Sequence, residues 1–403
     1  MTTKPRARRQ YGTGSVTQLP NGKYLGRLEA GYTATGTRRR ISVIADTEAE
    51  CKRRLRDKRM ELEKEGPGAI TTTRPTVKAW SETWLAAHER SVRPKTYATD
   101  ASVVRKWIVP TIGHRKLSDL TPGDVRRVTD AIRKAGRTST TAGYAQAVLM
   151  RALKSAVLEG HRVPDRVLLV PKPAPAVSDR DALTIPHAIA VLRAAEDHLD
   201  GVRWACALLQ GMRQGEVLGL TWDAIDLDAG LVDVSWQLQS LPYADKARGR
   251  FRVPDGYEVR RLEGAYHLTR PKSVKGVRVV PLIDEMVVAL ERWRAVAPDS
   301  PHGLVFPRLD GKPRNTVADR TAWHDLQATA HVAHPAGRPY LLHEARHTTA
   351  TLLGEAGVDP EIIRAILGHS SIATQRSYRH GSMEQRRRAL ADVRQLLVPQ
   401  IEA

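Results

Sequence analysis

Residues 341–353 read LLHEARHTTATLL and admit two chemistries. In the first, His343 and His347 stand one helical turn apart as zinc ligands, and Glu344 serves as general base. In the second, His343 and Arg346 face a phosphate, and the glutamate and second histidine are bystanders. The zinc reading needs a third protein ligand from downstream. The extended form of that motif wants Gly and His where this chain has Ala350 and Leu353; Glu355 lies too near, and Glu361 opens a well-formed helix. The H-x-x-R pair is short enough to arise by chance, and the chain holds a second one, His267/Arg270. Its company must decide.

That company is specific. Upstream, GMRQGEVLGLTWDAID places Arg213 at the start of an apolar helix with Glu216 one turn along. Next comes TRPKSVKGVRVVPL, with Lys272 between two strand-like runs and Lys275 as the alternative. Downstream, DPEIIRAILGHSSIATQRSYRH supplies His369 and, nine residues later, Tyr378, followed by Arg379 and His380. The order Arg, Lys, H-x-x-R, LGH, Tyr resembles that of the tyrosine recombinases of the phage-integrase type. The resemblance is dense from Asp179 to about Leu397. More loosely, it takes in a helical segment and a basic N-terminal sheet, similar to the core-binding and arm-binding domains of that family. The family's box often reads H-D-L-R-H where this chain has H-E-A-R-H; His343, Arg346 and His347 still match. The stretch LPYADKARGRFRVPDGYEVRRLEGA before Lys272 reads as an insertion.

The physical logic stands beside the resemblance. Cutting a phosphodiester needs a nucleophile, stabilisation of charge on the equatorial oxygens and a proton for the leaving oxygen. Arg213 and Arg346 present planar donor forks that match a phosphate. His343 and His369 suit hydrogen bonding to phosphate or shuttling of the nucleophile's proton, Lys272 is the candidate acid for the 5′ oxygen, and Tyr378 is the candidate nucleophile. Glu216 is a supporting residue. No phosphate loop of the G-x-x-x-x-G-K-[ST] type occurs, and no metal or other cofactor is expected. The resemblance implies a covalent 3′-phosphotyrosyl intermediate and integration or excision of a mobile element. It also implies core and arm sites on double-stranded DNA, a homotetramer on that DNA, and a possible accessory bending or excision factor. A type IB topoisomerase-like enzyme and a catalytically inactive DNA-binding regulator are the rival readings.

Composition points the same way. Lys plus Arg number 64 against 44 Asp plus Glu, a net charge of +20, which favours an acidic polymer as partner. Half of that excess falls within residues 1–60. Aromatic residues make up only 5% of the chain, against the stacked-base mode of single-strand readers. Cys51 and Cys206 are too few and too far apart for a disulfide framework or a thiolate zinc site. No apolar run approaches the roughly 18 residues of a membrane span, and the first ten residues lack the apolar stretch of a signal peptide. A cytoplasmic protein with no membrane partner is expected.

The fold class expected is multidomain, mainly α with small β elements. Residues 1–68 should form a basic three-stranded sheet with one helix, read from the Asn21-Gly22 and Thr35-Gly36 turns and the Thr47-x-x-Glu50 capping box. Residues 75–165 should form a helical bundle with apolar faces at Trp80/Trp84/Leu85, Val103/Val104/Trp107/Ile108, Val125/Val128/Ile132 and Tyr144/Val148/Leu149/Ala152/Leu153/Ala156. Pro164, Pro171, Pro173 and Pro175 mark an extended linker. Residues 179–398 should form a mixed α+β catalytic domain, with Lys272 on a hairpin. Leu390, Val393, Leu396 and Leu397 make an apolar stripe that fits either a partner protomer or the chain's own domain.

Overall fold

The computed structural model describes residues 14–32, 38–65, 74–271, 276–368 and 383–397. The chain divides into two compact units, Met1–Ala176 and Val177–Ala403.

The first unit opens with an antiparallel sheet of β1 (Ser15–Gln18), β2 (Tyr24–Tyr32) and β3 (Arg38–Ala45) in the order β1-β2-β3. Gly22 adopts a positive φ of 80° in the β1–β2 turn, a conformation glycine reaches without a Cβ penalty. Helix α1 (Glu48–Glu65) follows, and the Thr47 hydroxyl accepts from the Glu50 N–H at 3.3 Å as the capping reading required. Leu28, Ala30, Ile41, Ala45, Cys51 and Leu55 are buried in this element.

The helical segment comprises α2 (Val77–Ser91), α3 (Pro94–Val103), α4 (Val109–Ile112), α5 (Pro122–Lys134), α6 (Ser139–Leu158) and α7 (Asp165–Leu168). Trp80, Trp84, Leu85, Val125, Val128, Ile132, Val148 and Leu149 are buried in its core. Thr121 and Asp124 form a reciprocal capping box with Pro122 at the first turn. One expectation needs correction. The helix read across Val103–Ile108 passes through a π turn at Val104–Ile108 before α4, and Trp107 is only partly buried. Pro110 has no N–H to continue the α pattern, and the wider turn accommodates it. The proline-rich segment is neither extended throughout nor detached: directly after Pro164 it forms α7, whose Val167 is buried in the helical core, and further on the Gln146 amide donates to the Val170 carbonyl (2.9 Å) and the Ala176 N–H donates to Thr140 (3.1 Å).

The second unit contains α8 (Ile185–Glu196), α9 (Val202–Leu208), α10 (Gln214–Leu218), β4 (Ile225–Asp226), β5 (Leu231–Val234), β6 (Gln237–Ser240), β7 (Tyr243–Asp245), β8 (Arg250–Phe251), β9 (Val259–Arg261), β10 (Tyr266–Thr269), β11 (Arg278–Pro281), α11 (Asp284–Val296), α12 (Thr316–Thr329), α13 (Leu342–Glu355), α14 (Pro360–Leu367) and α15 (Met383–Leu397). Its core gathers Trp204, Phe306, Trp323, Leu352, Leu353, Ile366 and Leu367.

The strands flanking Lys272 do not form the simple hairpin expected. Among the described residues, β10 pairs with β6 and β9, whereas β11 pairs with β5. Thr269 lies opposite Gln237, and Arg278 opposite Val234. The two pairs belong to separate sheets, and only Ser235 and Trp236 separate β5 from β6 along the chain. The insertion supplies β7, β8 and β9.

Two of the four residues of the tail's apolar stripe, Leu390 and Val393 on α15, pack on the chain's own domain. Ala389, Leu390 and Val393 are buried in this unit's own core, and Arg386 donates to the Val279 carbonyl (3.1 Å). The side chains of Leu396 and Leu397 lie outside the described residues.

Candidate active site

The site begins at a reversal in the chain between α9 and α10. Gly211 sits there at φ +59°. A Cβ on it would lie 2.3 Å from Leu367 Cδ2, and its carbonyl accepts from Arg346 Nη1. Gly211→Ala is therefore expected to destabilise the protein by about 1–2 kcal/mol, the left-handed backbone cost alone; an unchanged thermal unfolding midpoint would show that the turn relaxes freely.

Arg213 precedes α10, and Glu216 occupies the third position of that helix. Its carboxylate turns back on the helix start, accepting from the Arg213 N–H (2.9 Å) and from Arg213 Nη1 (2.6 Å). This satisfies an amide that has no partner within the helix. Glu216 is only 2% exposed. Arg278 on β11 reaches the same carboxylate through Nη1 (3.2 Å) and Nη2 (2.9 Å), and Arg346 Nη1 stands 3.9 Å from it. Burial alone would raise the Glu216 pKa, but Arg278 and Arg213 outweigh it and hold the value at about 2.

The same three arginines grip the end of α14. Arg278 Nε donates to the Ile366 carbonyl at 2.7 Å, Arg346 Nη2 to the Leu367 carbonyl, and Arg213 Nη2 to the Gly368 carbonyl at 3.2 Å. Gly368 closes that helix in the left-handed conformation (φ 63°). Three successive carbonyls, unpaired by the helix itself, thus each take a different guanidinium.

Helix α13 carries the H-x-x-R pair. Arg346 is 1% exposed, whereas His343 is exposed at the first turn. The Arg346 Nε is buried with no partner among the described residues. Burial foremost, and then the charges of Arg213 and Arg278, push its pKa down, with Glu216 opposing. The rings of His343 and His347 meet edge-on at 4.7 Å. Partial burial, followed by the positive charges of His347, Arg346, Arg180 and Arg213, lowers the His343 pKa and favours its neutral form.

Glu344 is engaged in a way that tells against the general-base role of the competing reading. Fully buried, it accepts from Arg338 through both oxygens (2.7 and 2.9 Å), from the Leu341 N–H (2.6 Å) and from the Asp181 N–H (3.3 Å). A carboxylate so occupied is not placed to act on water beside His343 and His347. Among the described residues, no three His, Cys, Asp or Glu side chains gather as a metal site. The other H-x-x-R pair is dispersed: His267 is buried on β10, and Arg270 is bound by Glu258 at 2.9 and 3.0 Å.

The structure therefore brings together Arg213, Glu216, Arg346 and His343. Lys272, its alternative Lys275, His369 and Tyr378 lie outside the described residues. Sequence reasoning missed Arg278 and Arg338. The first had a faint signal, an arginine opening an apolar strand where a buried position is expected; the second had none.

The pattern of the phage integrase family matches residues 190–385, and that of the phage integrase N-terminal SAM-like domain matches residues 76–131. The chain belongs to the phage integrase family. Relatives of this integrase-family chain include an integrase of Streptomyces ambofaciens, 29% identical over 92% of this chain and 89% of the relative. A XerC-like tyrosine recombinase of Caldanaerobacter subterraneus is 28% identical over 47% of each chain. In fold, the chain resembles the Tn1549 transposon integrase in complex with transposon right end DNA, with a TM-score of 0.61 and 20% identity, covering 78% of this chain and 98% of that one. It also resembles the lambda integrase tetramer bound to a Holliday junction, with a TM-score of 0.54 and 15% identity over 91% of this chain and 98% of that one.

Proposed function

We propose that this integrase-family chain is a site-specific recombinase that cuts and rejoins duplex DNA through a 3′-phosphotyrosyl intermediate on Tyr378, integrating or excising a mobile element. One observation carries the reading: three guanidinium groups converge on a single carboxylate. Glu216 cannot neutralise Arg213, Arg278 and Arg346 together, so the cluster is electrostatically complete only when a further anion joins it. Arg213, 34% exposed at the side chain, and exposed His343 mark the side from which a phosphate arrives. The unused Nε of Arg346 is a further donor.

In this reading, Arg213 and Arg346 stabilise the charge that develops on the equatorial oxygens. The Tyr378 phenol, which ordinarily titrates near 10, loses its proton to His343 or His369 as its oxygen bonds to phosphorus. The 5′ oxygen departs with a proton from Lys272 or Lys275. Reversal by the 5′ hydroxyl of another strand exchanges strands without a nucleotide cofactor. Four protomers act on two duplexes, with residues 1–68 on flanking sites and residues 75–165 and 179–398 on the core site. An accessory bending or excision factor assists that assembly. The described helices include none long and apolar enough to cross a membrane, and the reading places the protein with DNA in the cytoplasm.

The test is covalent trapping. A core duplex is selected from a random-sequence pool by binding to the full chain, then nicked so that the cleaved product diffuses away. The denaturation-resistant adduct is expected to form in EDTA and to map by peptide mass spectrometry to Tyr378. An adduct on another residue, no adduct, or abolition by the chelator would each overturn the proposal.

A further inference from the structure

The geometry points to Arg278 as a positioning residue for strand cleavage: by sharing Glu216 it keeps the charge of Arg213 available to the scissile phosphate. This inference rests on the cleavage reading above and concerns a residue outside the expected clamp.

Arg278 cannot itself meet DNA. Its side chain is 4% exposed, and its donors are spent on the protein: Nε on Ile366 (2.7 Å), Nη1 on the Gly276 carbonyl (3.1 Å) and on Glu216, and Nη2 on Glu216. Pairing of β11 with β5 through Arg278 and Val234 fixes its backbone. The question is what a buried guanidinium achieves beneath a carboxylate that already has a partner. Left to Arg213 alone, at 2.6 Å, Glu216 would form a closed pair with no net charge to offer an incoming anion. With Arg278 on both oxygens, the carboxylate is divided. Arg213 retains uncompensated positive charge at the one position in the cluster that is partly open to solvent.

A second consequence is geometric. Arg278 links Glu216, at the start of α10, to the Ile366 carbonyl at the end of α14. The neighbouring carbonyls of Leu367 and Gly368 are held by Arg346 and Arg213. Arg278 thus fixes the distance between the residue that orients Arg213 and the helix end that both clamp arginines grasp.

Substrate charge separates this role from a purely structural one. Adduct formation by the full chain would be compared on a selected nicked duplex carrying either the natural phosphodiester or an uncharged methylphosphonate at the scissile position. Arg278→Gln is expected to slow the phosphodiester reaction about 10- to 100-fold, the scale of a lost or misplaced charge contact. The same variant should leave the methylphosphonate reaction within about threefold of the unsubstituted protein, because that substrate makes little demand on Arg213's charge. Arg278→Lys, which restores the charge without the fork, should fall between. The double variant Arg278→Gln/Glu216→Gln removes the carboxylate with its partner. It should regain the preference for the charged substrate, and it keeps the comparison available if Arg278→Gln alone does not fold. Equal slowing on both substrates, or the same substrate preference in all four proteins, would overturn the role of Arg278. Failure of the unsubstituted protein to form an adduct on either substrate would instead overturn the cleavage reading.

Discussion

Glu216→Gln is expected to destabilise the second unit by about 3–5 kcal/mol, the usual cost of breaking a buried ion cluster from one side. The amide is nearly the same size, so packing changes little. What changes is that Arg278, almost wholly buried, and Arg346, fully buried, lose their shared counter-ion. The measurement is thermal and urea unfolding of the full chain, followed on the transition of residues 177–403. The pH dependence provides a second readout. The Glu216 carboxyl titrates at about 2 in the folded protein against a reference of 4.5. A depressed carboxylate contributes stability that is present above the unfolded value and lost as pH falls through the folded one. About 3 kcal/mol should therefore disappear between pH 4.5 and 2 in the natural protein, and this component should be absent from the variant. A variant within about 1 kcal/mol of the parent, well below the expected cost, with the same acid profile would show that the cluster is not held by its carboxylate.

Arg346→Ala is expected to slow covalent adduct formation by about 10²- to 10³-fold, the loss typical when one preorganised donor to a developing oxyanion is removed. DNA affinity should change far less, because it sums over many phosphate contacts, of which the scissile one is a single member. The structure sharpens the expectation. Arg346 holds Gly211 and Leu367 by their carbonyls and keeps one buried N–H unspent. In the proposed reaction it would therefore serve both the phosphate and the backbone around it, the Gly211 and Leu367 carbonyls that it holds. Lysine at this position keeps a charge but loses the fork, so Arg346→Lys should recover little of the rate. Adduct rates on the nicked duplex and binding by gel shift separate the two effects. Cleavage by Arg346→Ala within threefold of the parent would remove Arg346 from the reaction.

Much of this was legible in the sequence because it is local. The cap and box at Thr121-Pro122-Gly123-Asp124 announced α5, and Thr47 announced α1. The Arg213/Glu216 spacing gave the ion pair because i and i+3 are neighbours on a helix. What escaped was non-local. The partners of Arg278 are Glu216, 62 residues away, and Ile366, 88 residues away. Nothing in the order of residues says which of many arginines will find a carbonyl at the far end of another helix. Glu344 illustrates the converse: the H-E-x-x-H string already lacked a third ligand in the sequence, but nothing there showed that Arg338 takes both of its oxygens. The Lys272 hairpin also misled. Two apolar strands separated by a polar stretch look paired from sequence, whereas here β10 pairs with β6 and β11 with β5, in separate sheets.

The three carbonyls at the end of α14 limit how the gene can drift in length. Each belongs to a consecutive residue and receives a different guanidinium, so adding or deleting one residue within Pro360–Leu367 would rotate the helix end by about 100° and mismatch every contact at once. Related chains should accommodate indels in the turn at residues 356–359, while the helix that follows keeps a fixed count.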